Sequence, residues 1–175
     1  MKNMMLFLAI SFLAFIATQS VIAQSNPAFA TKYSGIEAEN MTQKYKRSHS
    51  KDIRPTELFN QQLMKDFPDA KRIDWETASD VYEAEFEIGR TDYKAYYDNN
   101  AGLFMYVVEI RESDLPAIVK NTAQARYPKH NFEDIEKIVR RSGIIYKIEL
   151  EREKDKRDVK ALFKEDGNFI KEIID

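Results

Sequence analysis

The chain has 175 residues, a formal charge of −2 and no cysteine. Without thiols it has no disulfide framework, thiol nucleophile or thiolate metal site. Its 27 basic side chains stand against 29 acidic ones, which leaves none of the basic excess that binding a phosphate backbone requires, so nucleic acid is not an expected partner.

In chain order, Lys2 precedes a run from Met4 to Ala17 that is apolar apart from Ser11, and Val21-Ile22-Ala23 closes it. This is the layout of a secretion signal cleaved after Ala23. The apolar run is shorter than the ~20 residues a spanning helix needs, and the polar residues Thr18, Gln19 and Ser20 break it off. Residues 1–23 are therefore expected to be removed, giving a periplasmic or secreted product with no stable membrane anchor. Residues 24–53 are rich in Ser, Asn, Gln, Thr and Lys, and their few apolar residues show no sustained period. They read as a flexible linker, and the basic cluster Lys44, Lys46, Arg47 and Lys51 within them as a solvated tether.

From Thr56 the pattern becomes helical, with Leu58, Phe59, Leu63 and Phe67 near helical spacing and Pro68 as the stop. Strands are then expected at Lys71–Thr77, Val81–Ile88, Thr91–Tyr97 and Leu103–Ile110. In the second of these, Tyr82, Ala84, Phe86 and Ile88 alternate with Glu83, Glu85 and Glu87, the period of a half-buried strand with its acids in water. A second helix is expected from the cap signal Ser113-Asp114 through Leu115, Ile118, Val119 and Ala123 to Tyr127, with Pro116 in its first turn and Pro128 ending it. Strands at Glu133–Val139, Ile144–Glu151, Val159–Lys164 and Phe169–Ile174 complete the chain.

The two halves echo one another. Phe67-Pro68 recurs as Tyr127-Pro128, Lys94-Ala95-Tyr96-Tyr97 as Lys160-Ala161-Leu162-Phe163, and Gly102-Leu103-Phe104 is matched to Gly167-Asn168-Phe169. The expected fold is α+β: two tandem repeats, 54–112 and 113–175, each a helix packed on one face of a four-stranded antiparallel meander sheet. A repeat of ~60 residues is marginal alone, so the two are expected to unfold together.

The order Phe67-Pro68-x-Ala70, Trp75, Tyr82-x-Ala84-x-Phe86, Tyr93-x-Ala95-x-Tyr97-Asp98, Gly102, Asp114-Leu115-Pro116 and Tyr127-Pro128 resembles the β-lactamase-inhibitor-like, PepSY-like family of secreted bacterial proteins. The resemblance spans about residues 55–175. It implies a tandem α/β protein of Bacteroidetes-type bacteria and supplies no catalytic residues. Fold likeness alone is an associational warrant for function.

The residues themselves point away from catalysis. Only His49 and His130 are present, the first in the expected linker and the second in an expected surface loop, and no hydroxyl, base and acid are set out as a nucleophilic triad. His130 with Asp134 would make at most a weak metal site, and no Gly-rich phosphate loop occurs. No enzyme activity, cofactor or metal is expected. The aromatic set Trp75, Tyr82, Phe86, Tyr93, Tyr97 and Phe104 reads as core beneath the helices. If those side chains point inward, Tyr96, Met105, Val107, Leu162 and Ile170 point outward and form the candidate partner-binding face. The functional expectation is an exported, non-catalytic binding protein for a protein or peptide partner, an inhibitor or modulator of another exported protein being one form of this, using that face or the cleft between the repeats. The alternative is a small-ligand or peptide-sensing module of the cell envelope.

Overall fold

The computed structural model describes residues 27–33, 35–152 and 158–173, so the expected secretion signal lies outside the described residues. Among the described residues nine strands form one antiparallel sheet in strict chain order. They are β1 (Lys51–Asp52), β2 (Lys71–Ala78), β3 (Val81–Ile88), β4 (Thr91–Asp98), β5 (Leu103–Glu109), β6 (His130–Arg140), β7 (Gly143–Arg152), β8 (Asp158–Lys164) and β9 (Phe169–Ile173). Among the described residues three α-helices accompany them: α1 (Gly35–Arg47), α2 (Glu57–Asp66) and α3 (Ala117–Arg126).

The expectation of two repeats, each a helix on its own four-stranded sheet, is corrected here. β5 pairs with β6 from Met105↔Arg140 to Glu109↔Glu136, so the strands on either side belong to a single nine-stranded sheet. The reason is physical: two separate meanders would each leave an unpaired edge facing the other, and joining them satisfies both rows of backbone donors and acceptors.

One face of the sheet carries α2 and α3. Phe59, Leu63 and Phe67 pack on Trp75, Phe86, Tyr97 and Leu103, and Val119, Ala123 and Tyr127 pack on Tyr146, Ile148, Leu150 and Phe163. Ile110 touches both clusters and makes them continuous. Thr56 is the N-cap of α2, and Phe67 ends it just before Pro68. The start of α3 differs from expectation. Glu112–Asp114 form a separate 3₁₀ turn and Pro116 takes the N-cap, because the ring fixes Pro116 in an extended approach to the helix.

Within 24–53, expected to act as a linker, residues 35–47 form α1. Ala38, Met41 and Tyr45 lie on the opposite face of the sheet against Ala78, Val81, Tyr96, Phe104 and Met105. A 13-residue helix is marginal alone in water, so this packing is what holds it. Phe104 accordingly sits beneath α1 and not beneath α2 as expected.

The loop pairs are equivalent with a slip of one residue from the letter match. Asp98 N–H donates to the Gly102 carbonyl and Ala101 N–H to Asp98, as Lys164 N–H donates to Asn168 and Gly167 N–H to Lys164. Ala101 and Gly167 therefore share the left-handed position, at φ 57° and 85°. A Cβ at Gly167 would lie 2.8 Å from Ile118 Cγ1 and 3.2 Å from the Ile118 carbonyl oxygen, whereas one at Gly89, φ 68°, would meet nothing within 4 Å. Gly89→Ala is expected to cost about 1 kcal/mol of backbone strain, and Gly167→Ala about 2 kcal/mol or more once the clash is added. Urea midpoints of the two variants measure the difference; equal midpoints contradict this packing of the β8–β9 loop on α3.

Candidate functional site

The face away from α2 and α3 is built by the period-two alternation of the strands and by two equivalent bulges. Tyr96 pairs with Met105 and Tyr97 with Leu103, so Phe104 is the extra residue and both Phe104 and Met105 turn outward. Leu162 pairs with Lys171 and Phe163 with Phe169, so Ile170 and Lys171 turn outward in the same way.

All five residues singled out from sequence, Tyr96, Met105, Val107, Leu162 and Ile170, line one trough of about 690 Å³ on this face. Their exposure differs along it. Tyr96 and Met105 are each 5 % exposed because α1 covers them, Val107 and Leu162 are half-buried, and Ile170 is 36 % exposed. The trough also uses residues that sequence reasoning missed: Ile138, Ile145 and Ile173 in the floor, and Gln43 and Lys46 of α1 as a wall. Ile145 was findable, since an inward Tyr146 requires its neighbour to point outward, and its partner Ile138 comes from the β6–β7 register. Five cations, Lys46, Lys94, Arg140, Lys147 and Lys171, and two carboxylates, Glu136 and Glu172, complete the lining. Lys147 pairs with Glu136 at 2.6 Å and Lys94 with Glu85, whereas Glu172, opposite the inward Ala161, turns its carboxylate to the α3 face and accepts there from the Tyr127 hydroxyl at 2.7 Å.

The α1 end of the trough is a polar network under cover. The Tyr45 ring meets the edge of Tyr96 at 5.9 Å, and the Tyr45 hydroxyl donates to Glu76 at 3.1 Å. Tyr96 hydrogen-bonds Glu83. Glu83 was expected on the solvent side of β3; it is on that side, but α1 leaves it only 5 % exposed. Desolvation therefore raises the Glu83 carboxyl, against smaller lowering contributions from Tyr96 and Lys94. Burial, and then the Glu83 charge, push the Tyr96 hydroxyl up as well.

Asp98 ties down the arm that leads into α1. Its carboxylate accepts from the Tyr33 hydroxyl at 2.6 Å, from backbone N–H of Asn100 at 2.7 Å and of Gly102 at 2.9 Å, and pairs with Lys32 at 2.5 Å. Burial alone would raise its carboxyl, but the hydrogen bonds from Lys32, Tyr33, Gly102 and Asn100 outweigh that and hold it below the usual range. Ala30 N–H donates to Leu103 at 2.7 Å, and Arg141 donates to the Thr31 carbonyl.

The histidine expected in a loop is the first residue of β6, edge-on to Tyr127 at 5.6 Å. His130 and Asp134 are not brought together with a third ligand among the described residues; the one acidic cluster there is Glu133, Glu149 and Asp158, with carboxylate oxygens within 4.8 Å of one another. Lys160 lies 3.7 Å from Glu149 and offsets part of that charge.

No family model matches this chain, and no curated protein matches it. Solved structures do. A DUF2874 family protein from Bacteroides uniformis ATCC 8492 superposes with a TM-score of 0.64 at 20 % identity, over 69 % of this chain and 89 % of that one. A BLIP-like protein from Bacteroides fragilis NCTC 9343 gives 0.61 at 21 %, over 69 % and 86 %. A protein from Bacteroides eggerthii DSM 20697, whose name proposes a periplasmic location, gives 0.64 at 18 %, over 69 % and 89 %. This chain has the fold of these BLIP-like and DUF2874 structures.

The buried Glu83 makes a pH-dependent prediction. A carboxyl raised in the folded state disfavours folding above its folded pKa, and that penalty fades as pH falls toward the unfolded value of about 4.3. Glu83→Gln keeps an acceptor for Tyr96 and removes the charge, so it should raise the melting temperature at pH 7 and lose that advantage near pH 4.5. Melting curves of both proteins across this range test it; a variant less stable than the parent at pH 7 contradicts the burial of Glu83 beneath α1.

Proposed function

We propose that this chain is an exported, non-catalytic binding protein that holds an apolar segment of a protein or peptide partner in the outer-face trough, and that it is processed after Ala23. The observation that carries this reading is the trough itself. Leu162, Ile170, Ile138 and Ile145 gather apolar side chains on a face otherwise charged, and Ile170 stays open to solvent. Contiguous apolar surface rimmed by polar groups marks interaction sites on soluble proteins. Kinship with the β-lactamase-inhibitor-like, PepSY-like proteins is part of the proposal, supported by the shared fold. So is a periplasmic location, supported by the apolar N-terminal run and by the Bacteroides eggerthii neighbour. Restraint of another exported protein is the form of binding that the BLIP-like likeness suggests.

A small-ligand module is the second reading, favoured by one observation: about 690 Å³ falls within the roughly 300–1,000 Å³ typical of ligand pockets. The two readings part in what is retained.

The test is capture from native envelope extract on the immobilised exported chain, with Leu162→Asp, Ile170→Asp and, as a control on the far face, Leu58→Asp. Leu58 is 55 % exposed on α2. The proposal expects a protein retained by the parent and by Leu58→Asp, with affinity at least tenfold weaker, about 1.4 kcal/mol, in both trough variants. Equal retention by all four proteins rejects the trough as the partner surface, and retention of a small molecule alone favours the second reading.

A further inference from the structure

The chain shows how a helix sits on this face, and the open half repeats the seat. α1 lays Ala38, Met41 and Tyr45, at helical spacing, on Tyr96, Phe104 and Met105. Across the sheet, Leu162 takes the position of Tyr96, and the bulge beside it turns Ile170 outward as the bulge beside Tyr96 turns Phe104. Phe104 is 1 % exposed under α1 and Ile170 is 36 % exposed with no described helix above it.

Geometry limits what fits. Strands lie ~4.8 Å apart, so β5 to β9 spans about 19 Å, and the overhang of a helix about 10 Å across leaves room for one further helix and not two. An extended segment laid on a sheet face finds the strand backbones already paired, and its own donors and acceptors go unmet. A helix satisfies its backbone internally.

Charge selects the helix. The lining holds five cations, of which Lys94 pairs with Glu85 and Lys147 with Glu136, and its other carboxylate, Glu172, turns to the α3 face, so the charge facing the trough is positive on balance. The α1 of a second copy would bring Lys44, Lys46 and Arg47 in its last turn, adding like charge to the wall. An acidic helix would find complementary charge on both sides of the apolar floor.

We infer that the trough receives one amphipathic helix of another exported protein, its apolar stripe flanked by Asp and Glu. This rests on the reading of the trough as a partner site and narrows it to a class of ligand.

The experiment is selection of a displayed library of random 15-residue peptides on the exported full chain, with affinity measurement of the enriched peptides. The inference expects apolar residues at i, i+3, i+4 and i+7, more acidic than basic residues, and binding at least tenfold weaker to Leu162→Asp and Ile170→Asp. It also expects Lys46→Glu with Lys171→Glu to weaken the acidic peptides at least fivefold while the fold, monitored by circular dichroism, is kept. Enrichment of alternating or basic sequences, binding unaffected by the trough variants, or no enrichment overturns it. Trough-dependent binding of an alternating or basic peptide overturns the acidic helix alone and leaves the broader partner site standing. Dimerisation of the chain that Ile170→Asp abolishes would assign the trough to a second copy instead.

Discussion

The pairing of β5 with β6 is the contact on which the rest depends. Met105 to Glu109 meets Arg140 to Glu136 in an antiparallel ladder, and Ile110 N–H extends it by donating to the Ile135 carbonyl at 2.9 Å. Each side of this ladder, taken alone, is near the size at which a single core is marginal. Joined, they share one sheet, and Ile110 carries the apolar packing from the α2 cluster to the α3 cluster. The same ladder sets Val107 beside Ile138 on the opposite face, so the floor of the trough exists only because the two sets of strands are one sheet.

The outer face is asymmetric for a reason visible at a single pair of positions. Asp98 and Lys164 occupy the same place in equivalent turns. Asp98 accepts from Tyr33 and pairs with Lys32, which fastens the arm that leads into α1 over Tyr96 and Phe104. A lysine has no acceptor to offer and cannot hold such an arm. The half with Asp98 is covered; the half with Lys164 presents Leu162 and Ile170 to solvent. The covered half shows the cost of cover as well, since Glu83 lies beneath α1 with its charged form disfavoured.

Much of the strand layout was legible in sequence because alternation is a local signal: Tyr82, Ala84 and Phe86 against the glutamates, and Tyr146, Ile148 and Leu150 in β7. Alternation separates two faces without saying what lies on each, which is why Glu83 read as solvated and Phe104 as part of the α2 core. The missing information was α1. Its sheet-facing residues, the buried Ala38 and Tyr45 and the half-buried Met41, are three and four apart, a helical signal diluted by the polar residues between them. The joining of β5 to β6 left no mark in either strand, because pairing partners far apart in the chain are chosen by edge satisfaction and not by local pattern. The five candidate site residues were found together because outward parity is local too, whereas the wall that α1 supplies was not. Matching Gly102 to Gly167 failed by one residue because the left-handed position in the first turn is held by Ala101.

Hydrogen exchange resolved to single amides of Met105–Glu109 and Glu136–Arg140 tests the continuous sheet most directly. One continuous sheet predicts that amides bonded across the β5–β6 ladder exchange as slowly as those across β3–β4 and β7–β8, and open with them in denaturant as one unit. Fast exchange along β5–β6, with slow exchange persisting on either side, would show two separate sheets and contradict it.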